Sequence, residues 1–155
     1  MILVVGIGNT IMRDDGAGPR VIARLRARFS FPPDVELVEC ETSAVDLLSR
    51  LERVKRLILV DAVETGGPPG SMVRLTGTDI PEAYLAKRSR RAPGVPDLLA
   101  RASLEGKIPE ETVLWGIQPQ SVEMGPELTP PVAMALERLT AAVAAELDWM
   151  RVDRD

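Results

Sequence analysis

The chain has no histidine in its 155 residues. Histidine is the commonest transition-metal ligand and the usual general base near neutral pH. Its absence excludes Ser-His and Cys-His chemistry and every H-E-x-x-H metal site. Acid-base or metal work therefore falls to carboxylates, Cys40, lysines, Tyr84 or the backbone. The single cysteine excludes an internal disulfide and a cysteine-rich zinc site. Aromatic residues are only 3% of the chain, so the core has to be aliphatic. No apolar run approaches the roughly 18 to 20 residues of a membrane span. The N-terminal apolar run is too short for a signal peptide and has no basic flank. These gaps predict a cytoplasmic protein with no membrane partner. A net charge of −4 argues against non-specific nucleic-acid binding, which needs a basic surface.

What is present reads as one domain spanning 1–155. Ile2 to Val5 is a continuous aliphatic run, the pattern of a strand buried on both faces. From about Gly18, Val21, Ile22, Leu25 and Phe29 recur at helical spacing. Val35 to Glu39 alternates as a second strand. Thr42-Ser43 opens a helix through about Arg53, with Ser43 and Asp46 at capping-box spacing and Val45, Leu48 and Leu51 as its buried stripe. Arg56 to Asp61 is a third strand, and Ser71 to Leu75 a fourth. The link between them is too short for a crossover helix, which predicts an antiparallel fourth strand. A helical turn over Ile80–Ala86 precedes a basic, proline-containing loop, Lys87 to Pro96, whose run Lys87 to Arg91 reads as a solvated loop, a dock for an acidic partner, or a partner for Asp15 or Asp61 in the free protein. A helix follows from Asp97 to about Leu104, then a fifth strand, Thr112 to Ile117. Thr129 caps the last helix, with Pro130-Pro131 in its first turn. Val132, Leu136, Leu139, Val143, Leu147 and Met150 mark that helix's buried face. This order predicts a three-layer α/β/α sandwich with a mostly parallel five-stranded sheet and one antiparallel strand.

Sites in such sheets form at the carboxyl ends of the parallel strands. The Gly6–Asp15 loop, Glu39-Cys40-Glu41 and Asp61 all fall there, with Gln118 and Glu123 after the fifth strand. Asp15, Glu41 and Asp61 are thus candidates to face one crevice. Gly6-Ile7-Gly8 invites a dinucleotide reading. However, Ile11 stands where the third glycine belongs, and Asp14-Asp15 would repel a pyrophosphate. Alternatively, the carboxylates themselves act, holding a divalent cation between loops. A third possibility is purely structural: Asp14 or Asp15 caps the first helix, Asp61 is a polar strand end and Cys40 a small core thiol.

The loop Gly6-x-Gly8-Asn9-x4-Asp14-Asp15-Gly16-x-Gly18 resembles the opening motif of the nickel-iron hydrogenase maturation endopeptidases. Further matches follow in order: Thr42 with Asp46-Leu47-Leu48, then Leu57-Ile58-Leu59-Val60-Asp61-Ala62. Pro69-Gly70, Gly116-Ile117-x-Pro119-x3-Glu123 and Leu128-Thr129 complete the set. The resemblance covers nearly the whole chain. It implies an α/β peptidase that removes a C-terminal extension from the hydrogenase large-subunit precursor after nickel insertion. The nickel is presented by the substrate, with no cofactor held permanently. It also implies that Asp15 and Asp61 are the catalytic, metal-contacting acids and that Gly6, Gly8 and Asn9 shape the loop carrying Asp15. The family's third metal-site position, a histidine, falls in the loop before Asp97, where Arg91 is the nearest counterpart. Arginine stays protonated and offers no lone pair to a metal. Glu41, where the family often has glycine, is a possible replacement ligand, and Cys40 a soft one. Two other readings remain at this point. One is a homologue that binds a hydrogenase subunit without cutting it, having lost the metal-site histidine. The other is a nucleotide-binding α/β domain.

Overall fold

The computed structural model describes residues 1–41, 44–85 and 94–152. Its sheet has five strands in the order β2-β1-β3-β5-β4. They are β1 (Ile2–Ile7), β2 (Val35–Cys40), β3 (Arg56–Ala62), β4 (Met72–Thr76) and β5 (Glu111–Ile117). β1, β2, β3 and β5 run parallel, and β4 pairs antiparallel with β5 from Met72 opposite Ile117 to Thr76 opposite Val113. The central strands β1 and β3 are buried along almost their whole length, as continuous aliphatic runs require. At the edge, β2 is only half-buried over most of its length.

Alternation along the strands divides the core in two. Ile2, Val4, Ile58, Val60, Val113 and Ile117 face α1 (Ala17–Arg28) and α4 (Pro130–Arg151). Leu3, Val5, Ile7, Leu57, Leu59 and Leu114 face the opposite layer. That layer holds a 3-10 helix (Ala44–Arg53), α2 (Asp79–Leu85) and α3 (Val95–Leu104). The expected three-layer sandwich is therefore present. All six apolar residues of the expected α4 face are buried. Glu146 on α4 reaches back to the sheet, accepting hydrogen bonds from Arg74 Nε at 2.5 Å and Trp115 Nε1 at 3.1 Å. The hydrogen bond to Glu146 holds the Arg74 guanidinium above its ordinary pKa.

Three local expectations need correction. The segment Ala44–Arg53 is a 3-10 helix, and its buried residues are Ala44, Leu47 and Leu51. Val45 and Leu48 are only half-buried. Packing against β1, β3 and α3 sets which face turns inward, and the tighter winding shifts the phase. Phe29 is not on the buried face of α1: it follows the helix in extended conformation, 47% exposed, and its ring meets Phe31 at 6.0 Å. Thr129 stands at the N-cap of α4, but its hydroxyl makes no cap bond. The expected Thr42-Ser43 helix start and the basic run Lys87–Arg91 lie outside the described residues.

Candidate active site at the carboxyl ends of the strands

The loop after β1 forms because three glycines let backbones touch. A Cβ on Gly6 would lie 2.3 Å from the Gly18 carbonyl oxygen, and one on Gly18 would lie 2.3 Å from the Val60 oxygen. The helix α1 thus rests directly on β1 and β3, with no side chain between them. That contact, rather than a phosphate, explains the two-glycine turn. Gly8 has φ +146°, and a Cβ there would fall 1.7 Å from the Asp15 carbonyl oxygen. The chain then runs into a 3-10 turn, Arg13–Gly16, which carries both aspartates and leads into α1. Asn9 folds this loop: its side-chain oxygen accepts from the Ile11 N–H at 3.1 Å, and its carbonyl from the Met12 N–H at 3.0 Å.

The adjacent aspartates sit in different surroundings. Asp14 is fully buried. Its Oδ2 accepts from Gln120 N at 2.8 Å, Ser121 N at 3.0 Å and Thr129 Oγ1 at 2.6 Å. Its Oδ1 accepts from Thr129 N at 2.8 Å. Asp14 therefore does not cap α1, whose N-cap, Gly16, has no side-chain cap bond. It clamps the loop after β5 to the loop after β1, with the Thr129 hydroxyl donating to it. Arg13, with φ 47°, makes the left-handed turn that aims Asp14 inward. Asp15 is half-buried, and its Oδ2 accepts from the Asn9 N–H at 2.9 Å.

Asp61, near the end of β3, is fully buried. Its Oδ1 accepts from the Ala62 N–H at 2.8 Å and its Oδ2 from the Tyr84 hydroxyl at 2.9 Å. It lines a pocket with Tyr84 and Asp97, walled by Ile7, Ala44, Gly94, Val95 and Pro96. Asp97 also closes the start of α3, accepting from the Gly94 N–H at 2.8 Å. The turn carrying Asp15 packs against β3, so both acids stand at the same end of the sheet. Glu41 is at that end too, but it is exposed and accepts from Thr10 Oγ1 at 3.0 Å. Among the described residues no three Cys, Asp or Glu side chains gather to hold a metal ion. Arg91 lies outside the described residues. Cys40 is buried in the aliphatic cluster beneath the sheet.

Gln118 is a strut. Its Oε1 accepts from Thr65 N at 2.7 Å and Thr65 Oγ1 at 3.2 Å, while Nε2 donates to Glu64 Oε2 at 2.9 Å. Glu123 is exposed, and its backbone N–H donates to Ser121 Oγ at 3.3 Å. Sequence reasoning missed the clamp made by Asp14 and the bond from Tyr84 to Asp61. Tyr84 had one available signal: it is the chain's only tyrosine, and a partly buried phenol hydroxyl usually finds a hydrogen-bond partner.

The fold and this end of the sheet define an α/β domain that presents acidic side chains after two of its strands, with Asp61 lining a small pocket. A family model for hydrogenase maturation protease matches residues 19–146. The chain is 32% identical over 147 residues to the Hydrogenase 2 maturation protease of Escherichia coli (strain K12), with 94% of this chain and 90% of that one covered. It is 36% identical over 159 residues to the hydrogenase expression/formation protein HoxM of Azotobacter vinelandii, covering 99% of this chain and 77% of that one. The structure superposes on the hydrogenase maturating endopeptidase HybD from E. coli with a TM-score of 0.90 at 31% identity, over 97% of this chain and 93% of that one. The chain belongs to the hydrogenase maturation proteases, a family of peptidases. No helix among the described residues is long and apolar enough to cross a membrane.

Proposed function

We propose that this protein is the cytoplasmic endopeptidase that removes the C-terminal extension of a nickel-iron hydrogenase large-subunit precursor once nickel has been inserted. The whole chain, 1–155, acts as one domain. Asp15 and Asp61 contact the nickel carried by the precursor, and Gly6, Gly8 and Asn9 hold the loop that carries Asp15. The observation that carries this reading is the division of labour between adjacent aspartates. Asp14 is consumed by four internal hydrogen bonds, whereas Asp15 is half-buried on a turn packed against the strand of Asp61.

The donor set supports a metal brought by the substrate rather than a resident one. Asp15 and Asp61 offer hard oxygen ligands. Glu41, exposed at the same end of the sheet and bonded to Thr10, is a further oxygen donor. A metal already held by the precursor needs only partial coordination from the protease. There it would polarise a carbonyl or activate water. In a chain without histidine, removing a proton from attacking water falls to a carboxylate.

The test uses purified nickel-loaded precursor. The wild type should shorten it, and Asp15→Asn and Asp61→Asn should each abolish shortening while still folding. Normal processing by either variant removes that residue from the mechanism.

A further inference from the structure

Three apolar side chains stand in solvent on the two loops that Asp14 clamps together. Ile11 is 56% exposed, Val122 37% and Met124 79%. Their loops are far apart in sequence but fastened backbone to backbone. The Gly125 N–H donates to the Ile11 oxygen at 2.8 Å, the Arg13 N–H to the Gly125 oxygen at 2.9 Å and the Asp14 N–H to the Ser121 oxygen at 3.0 Å. Met12 and Gly125 form a parallel bridge, which sets Ile11 beside Met124. Folding does not explain this arrangement: the bridge and the buried clamp fix the loops, yet their apolar side chains remain in water. Single exposed apolar residues are ordinary, but a cluster on a rigid rim marks a contact surface.

We propose that Ile11, Val122 and Met124 form the docking rim for the large-subunit precursor, an inference that rests on the peptidase reading above. Ile11 lies on the same loop as Asp15. A polypeptide bound with its cleavage region at Asp15 would therefore lie close to Ile11. Glu123 and Glu127 are exposed on the second loop, and Glu41 borders the first through Thr10. Arg13 and Arg20 are half-buried, and Arg20 is bonded to the Pro126 oxygen. The complementary face is therefore aliphatic and edged with basic side chains. Because the rim is built before the partner arrives, docking requires no ordering of these loops, which conserves affinity.

The experiment compares wild type, Ile11→Glu/Met124→Glu and Leu104→Glu with nickel-loaded precursor. Leu104 is also exposed, but it ends α3 just before β5 begins, at the opposite end of the sheet. The double variant should raise KM about tenfold or more with kcat nearly unchanged, since central apolar contacts dominate interface energy. Leu104→Glu should match wild type. Ile11→Ser/Met124→Ser, which adds no charge, should shift KM the same way and provides a second variant should the glutamates disturb folding. An unchanged KM in both double variants, with wild type active, overturns the rim and leaves the peptidase reading intact. A wild type that binds precursor without cutting it overturns the activity; the rim is then read from the dissociation constant, with the same tenfold expectation. A wild type that elutes as a dimer, converted to monomer by the substitutions, identifies a self-interface and overturns the docking proposal. A wild type that neither binds nor cuts overturns both.

Discussion

Replacing Asp14 and Asp15 by asparagine should separate a structural carboxylate from a functional one. At Asp14, Oδ2 accepts three hydrogen bonds and Oδ1 one. Asparagine has a single acceptor oxygen. Placed at the Oδ2 position, it keeps Gln120 N, Ser121 N and Thr129 Oγ1. Its NH2 then faces the Thr129 N–H across 2.8 Å, donor against donor. That leaves a buried N–H unsatisfied, at a cost of about 1–3 kcal/mol, and weakens the three other bonds by removing their charge assistance. Asp14→Asn should therefore destabilise the fold by about 2–4 kcal/mol. With a urea dependence of about 2 kcal/mol per molar, the unfolding midpoint falls by about 1–2 M. Asp15 differs. Its Oδ2 accepts from Asn9 N, and an asparagine oxygen can keep that bond. Asp15→Asn, at a half-buried site, should cost less than Asp14→Asn. The assay is urea unfolding followed by circular dichroism. An Asp14→Asn midpoint within experimental error of wild type would refute the clamp, because no other bonded arrangement of that amide satisfies all four donors.

Gly8→Ala places a methyl 1.7 Å from the Asp15 oxygen and forces a φ of +146° on a non-glycine residue. It should lower both stability and precursor cleavage, and a fully active variant would show that the loop tolerates displacement of Asp15. Tyr84→Phe removes the hydroxyl bonded to Asp61 Oδ2. It should cost about 1–3 kcal/mol through loss of that charge-assisted hydrogen bond, and an unchanged unfolding midpoint would contradict this. On the opposite side of the molecule, Glu137 bridges helices through Arg28 at 2.6 and 2.7 Å, and through Arg24. Hydrogen bonding by Arg28 is the main cause of its lowered pKa, followed by the nearby arginine charges. A depressed carboxylate pKa stabilises above the unfolded-state value, and the benefit is lost as pH falls through the folded-state value. Glu137→Gln should therefore narrow the gap in unfolding midpoint between neutral pH and pH about 3. Salt should narrow it too, since the pair is exposed.

What could be read in the sequence was set by range. The aliphatic runs of β1 and β3 and the spacing from Val132 to Met150 are local, and local burial decides them. The antiparallel β4 followed from the short link after β3. The phase of the 3-10 helix Ala44–Arg53 did not follow, because facing elements choose which side is buried. The clamp was equally hidden: Asp14 and its partners Gln120, Ser121 and Thr129 are brought together only by the sheet order. By residue type and spacing, Asp14 and Asp15 are two equivalent acids before a helix, and only the family resemblance singles out Asp15. Their different surroundings arise from the left-handed turn at Arg13 and the loop that closes over it. Thr129 shows the same limit, since a good N-cap residue in the right place makes no side-chain cap bond and its hydroxyl donates to Asp14.

The most direct test of the account follows wild-type protein acting on nickel-loaded precursor by intact mass. Appearance of a shortened large subunit together with a released C-terminal peptide, with neither product formed by Asp15→Asn, is the predicted result. A stable complex in which the precursor keeps its full mass would contradict it and would identify a hydrogenase-binding homologue that no longer cuts.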